Sequence, residues 1–266
     1  MKKAIFTILM ALICFIGFGQ NGNSGPIKFL GIPIDGTKSQ FVIKLKSKGF
    51  TYNSLYECYK GQFNGKSVDV YIHCNHNIVD RVYVAFPRTS EESIRVEYNK
   101  LLNQFNENKK YLNLSLSEEI PENDDISYKI SVENKRYQAT FSYFDEDRDQ
   151  VEFACALVDG FSDYFTKEER DAIKENIKQL VTASEEQQDG IIEQVITEIQ
   201  KPKFAQTSGN TEEDTEKAYR FLLTAFDTMR SLADGEVWFM IYKNYGQYQI
   251  GLYYDNLHNQ AKGEDL

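Results

Sequence analysis

The densest group of metal-ligating residue types in the sequence is His73-Cys74-Asn75-His76, with two imidazoles and a thiol in four residues. This group lies at the end of a predicted strand, where His73 and Cys74 point to opposite faces and cannot chelate one ion together. The remaining histidine is His258, and neither HExxH nor paired CxxC spacing occurs. The sequence therefore predicts no metal site, with His73 in solvent and Cys74 in the core.

Aspartates alternate at positions 145, 147 and 149, as they do at the start of a calcium-binding loop. Such a loop needs glycine at its sixth position and a bidentate glutamate at its twelfth, but these positions hold Gln150 and Ala156. We therefore expect a solvated turn between two strands. Weak calcium binding is the alternative.

Signatures of nucleophilic and phosphate chemistry are absent, since the sequence contains neither GxSxG nor GxxxxGK(S/T). The acidic residues between positions 118 and 125 fall in one polar loop, whereas glycosidase carboxylates are normally placed by separate elements. We therefore expect no catalytic residues and no cofactor. The alternative is a hydrolase whose acids are drawn from Asp35, Glu57, Asp69 and Asp80.

Aromatic residues are abundant, at 14% of the chain with 17 tyrosines and 18 phenylalanines. Strands favour tyrosine, so packing explains part of this content. Tyrosine is also enriched at interaction surfaces, because its ring is apolar and its hydroxyl forms hydrogen bonds. The candidate binding residues lie in the first predicted sheet and are Tyr56, Tyr59, Tyr71 and Tyr83.

The N-terminus has the pattern of a secretory signal peptide. Lys2 and Lys3 precede an apolar run of about 15 residues, shorter than the ~20 that span a bilayer, and Gly17-Phe18-Gly19 follows. We expect cleavage of residues 1–19, a flexible leader at 20–26, and no transmembrane anchor afterwards. A retained anchor and lipid attachment at Cys14 are the alternatives.

Charge and cysteine content limit the partners and the covalent framework. The net charge of −10 becomes −12 without Lys2 and Lys3, which argues against nucleic acid as the partner. Cys58, Cys74 and Cys155 are too few for a disulfide scaffold, so we expect three thiols, with one disulfide plus a free thiol as the alternative.

The chain from 27 to 163 is predicted to contain two tandem α-β-β-β units in an α+β fold, with antiparallel sheets and helices on one face. Thr37-Lys38-Ser39-Gln40 and Thr89-Ser90-Glu91-Glu92 are capping boxes that open the two helices. Asn64-Gly65 predicts a hairpin in which paired positions sum to 129, so that Cys58 faces Tyr71. The predicted strands span 55–62, 67–74 and 79–86 in the first unit and 126–132, 136–144 and 151–158 in the second.

Residues 164–266 are predicted to form a helical segment that closes with a C-terminal helix and a hairpin. Capping boxes begin at Thr166 and Ser184, and Pro202 ends a helix before a linker at 204–210. A helix over 212–232 precedes strands at 236–242 and 247–254, joined at Tyr245-Gly246.

A sequence segment near each end of the mature chain is similar to segments of known proteins. Phe29-Leu-Gly-Ile-Pro-Ile-Asp-Gly-Thr37 and the closing Asn259-Gln-Ala-Lys-Gly-Glu-Asp-Leu266 resemble uncharacterised exported proteins of Bacteroides-type bacteria. The tandem layout is similar, at fold level, to the β-lactamase-inhibitor-protein-like and small outer-membrane assembly lipoprotein fold. These resemblances imply an exported location and a non-catalytic role, the binding of other proteins.

The sequence thus predicts an exported, non-catalytic binding protein in the periplasm or outside the cell. Its expected partner is another envelope or extracellular protein. The more specific alternative is an enzyme inhibitor or an envelope-assembly factor, which would require an aromatic sheet face left uncovered by helices.

Overall fold

The computed structural model describes residues 25–145, 149–200 and 211–259. The expected signal peptide, most of the leader, the linker at 204–210 and the last seven residues lie outside the described residues. The chain divides into two compact units. The described residues of Ser24–Asp145 and Ala233–Leu266 form a sheet unit, and those of Glu146–Leu232 form a helical unit.

The sheet unit is built on eight antiparallel strands in the order β3-β4-β5-β6-β10-β9-β8-β7, which confirms the α+β class. A separate two-stranded sheet pairs β1 (Lys28–Phe29) with β2 (Ile32–Pro33). The strands of the large sheet are β3 (Thr51–Asn53), β4 (Cys58–Phe63), β5 (Lys66–Asn75), β6 (Ile78–Ala85), β7 (Tyr111–Leu112), β8 (Gln138–Tyr143), β9 (Gly235–Asn244) and β10 (Gln247–Asn256).

Three helices of this unit pack on one face of the sheet: α1 (Lys38–Ser47), α2 (Glu91–Glu107) and α3 (Ile126–Ser131). The hydroxyl of Thr37 caps α1 as the sequence predicts, whereas α2 is capped by Ser90, one residue after the predicted Thr89. One continuous core joins apolar residues of these helices to alternate residues of the strands, including Phe41, Leu45, Ile94, Tyr98 and Ile126 with Val70, Val84, Phe141, Phe239 and Leu252.

The sheet has the same order of elements from either edge. A short edge strand is followed by a three-stranded meander, β4-β5-β6 on one side and β8-β9-β10 on the other. One helix precedes each half, and β6 pairs with β10 at the centre. The helical unit interrupts the second half between β8 and β9, which remain hydrogen-bonded neighbours with Tyr143 opposite Gly235.

This interruption explains where the expected second repeat differs from the structure. The predicted strands at 126–132 and 151–158 were wrong, since the first forms α3 and the second α4 (Gln150–Asp159). Asp125 caps α3 through the backbone N–H of Tyr128, and Asp149 caps α4 through those of Val151 and Glu152. The C-terminal hairpin supplies the missing strands of the second half. The sheet unit and the helical unit therefore have other limits than the expected 27–163 and 164–266.

The helical unit contains α4 followed by α5 (Lys167–Thr182), α6 (Glu185–Gln200) and α7 (Thr211–Ser231). Thr166 and Glu169 form the predicted capping box of α5. Phe161 and Phe221 stack with ring centroids 4.7 Å apart and are buried. None of the helices among the described residues is both long enough and apolar enough to cross a bilayer.

Candidate interaction face

Four aromatic side chains form a continuous row across the face of the sheet opposite α1, α2 and α3. Strand register places Tyr71 opposite Tyr83, Tyr83 opposite Tyr253, and Tyr253 opposite Trp238. Adjacent ring centroids are 5.5, 4.6 and 3.7 Å apart, and interplanar angles fall from 25° to 6°. We call this row the aromatic ladder. Each half of the sheet contributes two of its members.

The side chains of the ladder are half-buried, although they lie at the centre of the sheet. The core residues of the helices contact the alternate strand positions, such as Val70, Val84 and Leu252, which point to the other face. Because the rings stack on each other, they cover one another's flat faces. What they present outward is ring edges and hydroxyl groups, which suits edge-on apolar contact and hydrogen bonding.

Gly251 leaves room for the ring of Tyr242 to lie beside that of Tyr83. A Cβ at this position would lie 2.6 Å from a ring carbon of Tyr242 and 2.9 Å from one of Tyr83. The hydroxyls of Tyr242 and Tyr253 form a hydrogen bond of 2.7 Å. Burial, with smaller contributions from Tyr242 and Tyr71, raises the pKa of Tyr83 to about 12. The Tyr83 hydroxyl is therefore a neutral donor and acceptor throughout the physiological pH range.

An ion pair between the half-exposed Arg81 and the buried Asp255 fixes the tryptophan end of the ladder. Asp255 is 3% exposed and accepts hydrogen bonds from Arg81 Nε at 2.5 Å and Nη2 at 3.0 Å. Asp255 Oδ2 also accepts from the indole Nε1 of Trp238 at 2.9 Å. The guanidinium lies 5.9 Å from the ring centroid of Tyr253. Asp255 thus orients Trp238 and Arg81 together.

The opposite end of the ladder adjoins the β3–β4 turn. Tyr59 pairs with Val70, which is the predicted register and places the buried Cys58 next to Tyr71. Burial is the main cause that raises the pKa of the Cys58 thiol. Lys60 Nζ lies 5.2 Å from the ring centroid of Tyr56. The ladder and this turn therefore form one continuous surface, which we call the open face.

The structure brings three of the four predicted binding tyrosines to the open face. Tyr71 and Tyr83 belong to the ladder, and Tyr56 lies beside it on the turn. Tyr59 points to the helix-covered face, where it packs against the core and its ring lies 5.2 Å from that of Tyr52.

The binding residues predicted from the sequence did not include Trp238, Tyr242 and Tyr253. Their alternation in the C-terminal hairpin was visible, because Trp238, Met240 and Tyr242 occupy every second position. What was missing was the pairing of this hairpin with β6, which brings residues about 170 positions apart in the chain into contact, such as Tyr83 and Tyr253.

The residues considered for metal binding and catalysis lie outside the aromatic ladder. His73 Nδ1 lies 2.7 Å from Asp80 Oδ1, and across the described ranges no three His, Cys, Asp or Glu side chains gather as a metal site. Residues 146–148 of the calcium-like segment lie outside the described residues. Cys58, Cys74 and Cys155 are free thiols.

The four acids considered for a hydrolase lie on different elements. Asp35 follows β2, Glu57 lies in the β3–β4 turn, Asp69 is on β5 and Asp80 is on β6. Asp80 is opposite the far end of β5, close to His73. His73 and Asp69 are about 13 Å apart along β5, at 3.3 Å per residue. Asp69 pairs instead with Lys60 at 3.7 Å.

An open groove of about 690 Å³ lies between α5 and α6 in the helical unit. Its lining includes Glu175, Glu193 and Glu198 together with small and amide side chains, and it shares no residue with the open face.

The fold and this site define a class of protein, an α+β chain with one sheet face buried by helices and the other carrying an ordered aromatic row. No known protein family, curated sequence or solved structure matches the chain.

Proposed function

We propose that this chain is an exported, non-catalytic binding protein that engages another protein through its open face. The observation that carries the proposal is the aromatic ladder, which lies at the centre of a sheet face that α1, α2 and α3 leave uncovered. Tyrosine and tryptophan are the side chains most enriched among residues that dominate protein interfaces. The signal-peptide pattern of residues 1–19 supports an exported location.

The ring geometry favours a protein over a carbohydrate or nucleic acid. Sugars and bases stack on flat ring faces, but the ladder uses the faces of its rings for internal stacking. Nucleic acid is also disfavoured by the net charge of −10. Ring edges and hydroxyls are instead suited to peptide groups and apolar side chains.

An enzyme inhibitor or an envelope-assembly factor is the more specific role that the same observation favours. Both roles require a broad sheet surface that remains free to bind a folded protein. The ladder lies on a sheet face that α1, α2 and α3 leave uncovered, whereas two of the acids considered for a hydrolase, Asp69 and Asp80, contact Lys60 and His73.

The test compares the wild-type chain with Tyr71→Ser and with Tyr128→Ser as a matched control. Tyr71 is in the ladder, whereas Tyr128 is on α3, is 52% exposed and lies off the open face. A protein captured from the envelope or medium is purified and titrated against all three chains. We expect Tyr71→Ser to weaken Kd at least ~30-fold, the loss of about 2 kcal/mol typical of a dominant interface residue, and Tyr128→Ser to change it less than about twofold.

Equal affinity for the wild-type and Tyr71→Ser chains would contradict the proposal. So would a partner that binds only below physiological salt, because an interface built on ring edges and neutral hydroxyls depends little on ionic strength.

A further inference from the structure

Leu55 and Tyr56 project from the β3–β4 turn as adjacent exposed apolar side chains. Leu55 is 78% exposed and Tyr56 is 57% exposed. Exposed apolar residues scattered singly are ordinary on protein surfaces, but a neighbouring pair on a turn beside an aromatic row forms a patch.

The turn that carries this pair is held in place by its own hydrogen bonds. Asn53 Oδ1 accepts from the backbone N–H of Leu55 at 3.0 Å and from that of Tyr56 at 3.3 Å. Glu57 follows with a φ of 51°, in the left-handed region. Because the backbone is already ordered, binding through this turn loses less conformational entropy than binding through a loop that must first become ordered.

The pair is continuous with the tyrosine end of the ladder. Lys60 lies over the ring of Tyr56 and pairs with Asp69 on the open face. Burial is the main cause that raises the pKa of the Tyr71 hydroxyl, with smaller contributions from Cys58, Asp69 and Tyr56. A partner that covers Tyr71 therefore meets the turn as well.

Two ion pairs within the chain lie on the open face beside the ladder. Arg81 pairs with Asp255, and Lys60 pairs with Asp69. A charged partner group buried here would compete with these pairs and lose its hydration without a new counter-ion. An uncharged surface is the complementary one, while the exposed Glu57 stays in water at the rim.

We propose that Leu55 and Tyr56 insert into an uncharged, apolar cleft of the partner protein, and that the ladder packs against the rim of that cleft. This inference rests on the proposed function and deepens it by naming the anchor and the chemistry of the surface that receives it. Convex apolar side chains on a rigid turn gain most by filling a concave site, because a fully desolvated pocket is where aromatic anchors contribute most to affinity.

The test places a benzophenone photo-cross-linking residue at position 56 of the full chain, and at position 245 as the control. Tyr245 is 98% exposed on the β9–β10 turn, so it is more available to solvent than Tyr56. After irradiation in the envelope and medium fractions, we expect one cross-linked protein from position 56 and at least ~10-fold less from position 245. The cross-linked partner segment should lack Asp, Glu, Lys and Arg.

Competition by unlabelled chains checks the anchor itself. Wild-type protein should suppress the cross-link, whereas the double variant Leu55→Ser with Tyr56→Ser should need at least ~30-fold more protein for the same effect. Both side chains point to solvent, so the double variant should retain the near-UV circular dichroism of the wild type. Equal competition by the double variant, a charged cross-linked segment, or a product made only of two copies of this chain would overturn the inference.

A third labelled position separates this inference from the proposed function. Cross-linking from position 71 without cross-linking from position 56 would leave the binding role in place and overturn the turn as its anchor. Cross-linking from neither position would overturn both.

Discussion

Asp255 is the residue on which the tryptophan end of the open face depends. It is buried and accepts from both Arg81 and Trp238. We expect Asp255→Ala to lower the free energy of unfolding by about 2–3 kcal/mol, because the guanidinium and the indole N–H lose their acceptor. Denaturant titration followed by tryptophan fluorescence measures this change.

Asp69→Ala is the control for that change. Its ion pair with Lys60 is longer, at 3.7 Å, and both side chains are more than one third exposed. Its loss should cost less than about 1 kcal/mol, as for other surface pairs. Similar losses in the two variants would contradict the role assigned to Asp255.

Tyr83 should make the stability of the sheet unit sensitive to alkaline pH. Its pKa in the folded chain is about 12, whereas tyrosine in an unfolded chain ionises near pH ~10. Since the folded pKa is the higher one, its contribution to stability is full below pH ~10 and is lost as the pH rises towards 12.

Two titrations check this expectation. Absorbance at 295 nm should show that Tyr83 ionises later in the folded chain than in guanidinium, and Tyr83→Phe should remove one late-ionising group. The midpoint of guanidinium unfolding of the wild type should decrease as the pH rises from ~10 to 12. It should decrease less steeply in the variant. A folded-state titration that coincides with the unfolded one would contradict the burial of this hydroxyl.

At the scale of elements, the two tight hairpins use the same backbone geometry with different residues. Asn64-Gly65 has φ values of 50° and 74°, and Tyr245-Gly246 has 50° and 75°. Both turns require a left-handed first residue, where asparagine is favoured and tyrosine is strained. Tyr245 is almost fully exposed, so packing does not offset this strain.

We therefore expect Tyr245→Asn to raise the free energy of unfolding by about 0.5–1 kcal/mol. The reciprocal change, Asn64→Tyr, should lower it by more, because Asn64 also exchanges two hydrogen bonds with Gln104. Thermal unfolding followed by near-UV circular dichroism compares the two. A destabilised Tyr245→Asn chain would show that the tyrosine contributes something beyond the turn.

At the scale of the whole molecule, the helical unit is an insertion into a hairpin of the sheet. Asp234 N donates to Tyr143 O at 3.0 Å, and Asp145 N donates to Asp234 Oδ2 at 2.9 Å, so the chain leaves and re-enters the sheet at adjacent points. Replacing residues 146–232 with a short Asn-Gly turn should therefore preserve the sheet unit.

The shortened chain should unfold cooperatively and keep the near-UV signal of the ladder, while its far-UV helical signal falls. We expect its stability to lie within about 2 kcal/mol of that of the sheet unit in the full chain, since a short turn closes the hairpin at little entropic cost. Loss of the near-UV signal would mean that the sheet requires the insertion.

Local physical chemistry in the sequence determined much of this protein. Capping side chains at Thr37 and Thr166 marked helix starts, because each satisfies backbone N–H groups of the first turn. Asn64-Gly65 determined the register of the first hairpin. Alternation along β5 and β6 was enough to place Tyr71 and Tyr83 on one face.

Only the tertiary structure decided which strands complete the second half of the sheet. The apolar run at 151–158 suits a buried strand or a buried helix, and the cap at Asp149 favoured the helix. The pairing of β10 with β6 joins segments that are distant in the chain. The burial of apolar side chains drives this pairing, and no local sequence pattern encodes it. That pairing unites Tyr71 and Tyr83 with Tyr253 and Trp238, because a sheet aligns side chains by register across strands whatever their separation in the chain.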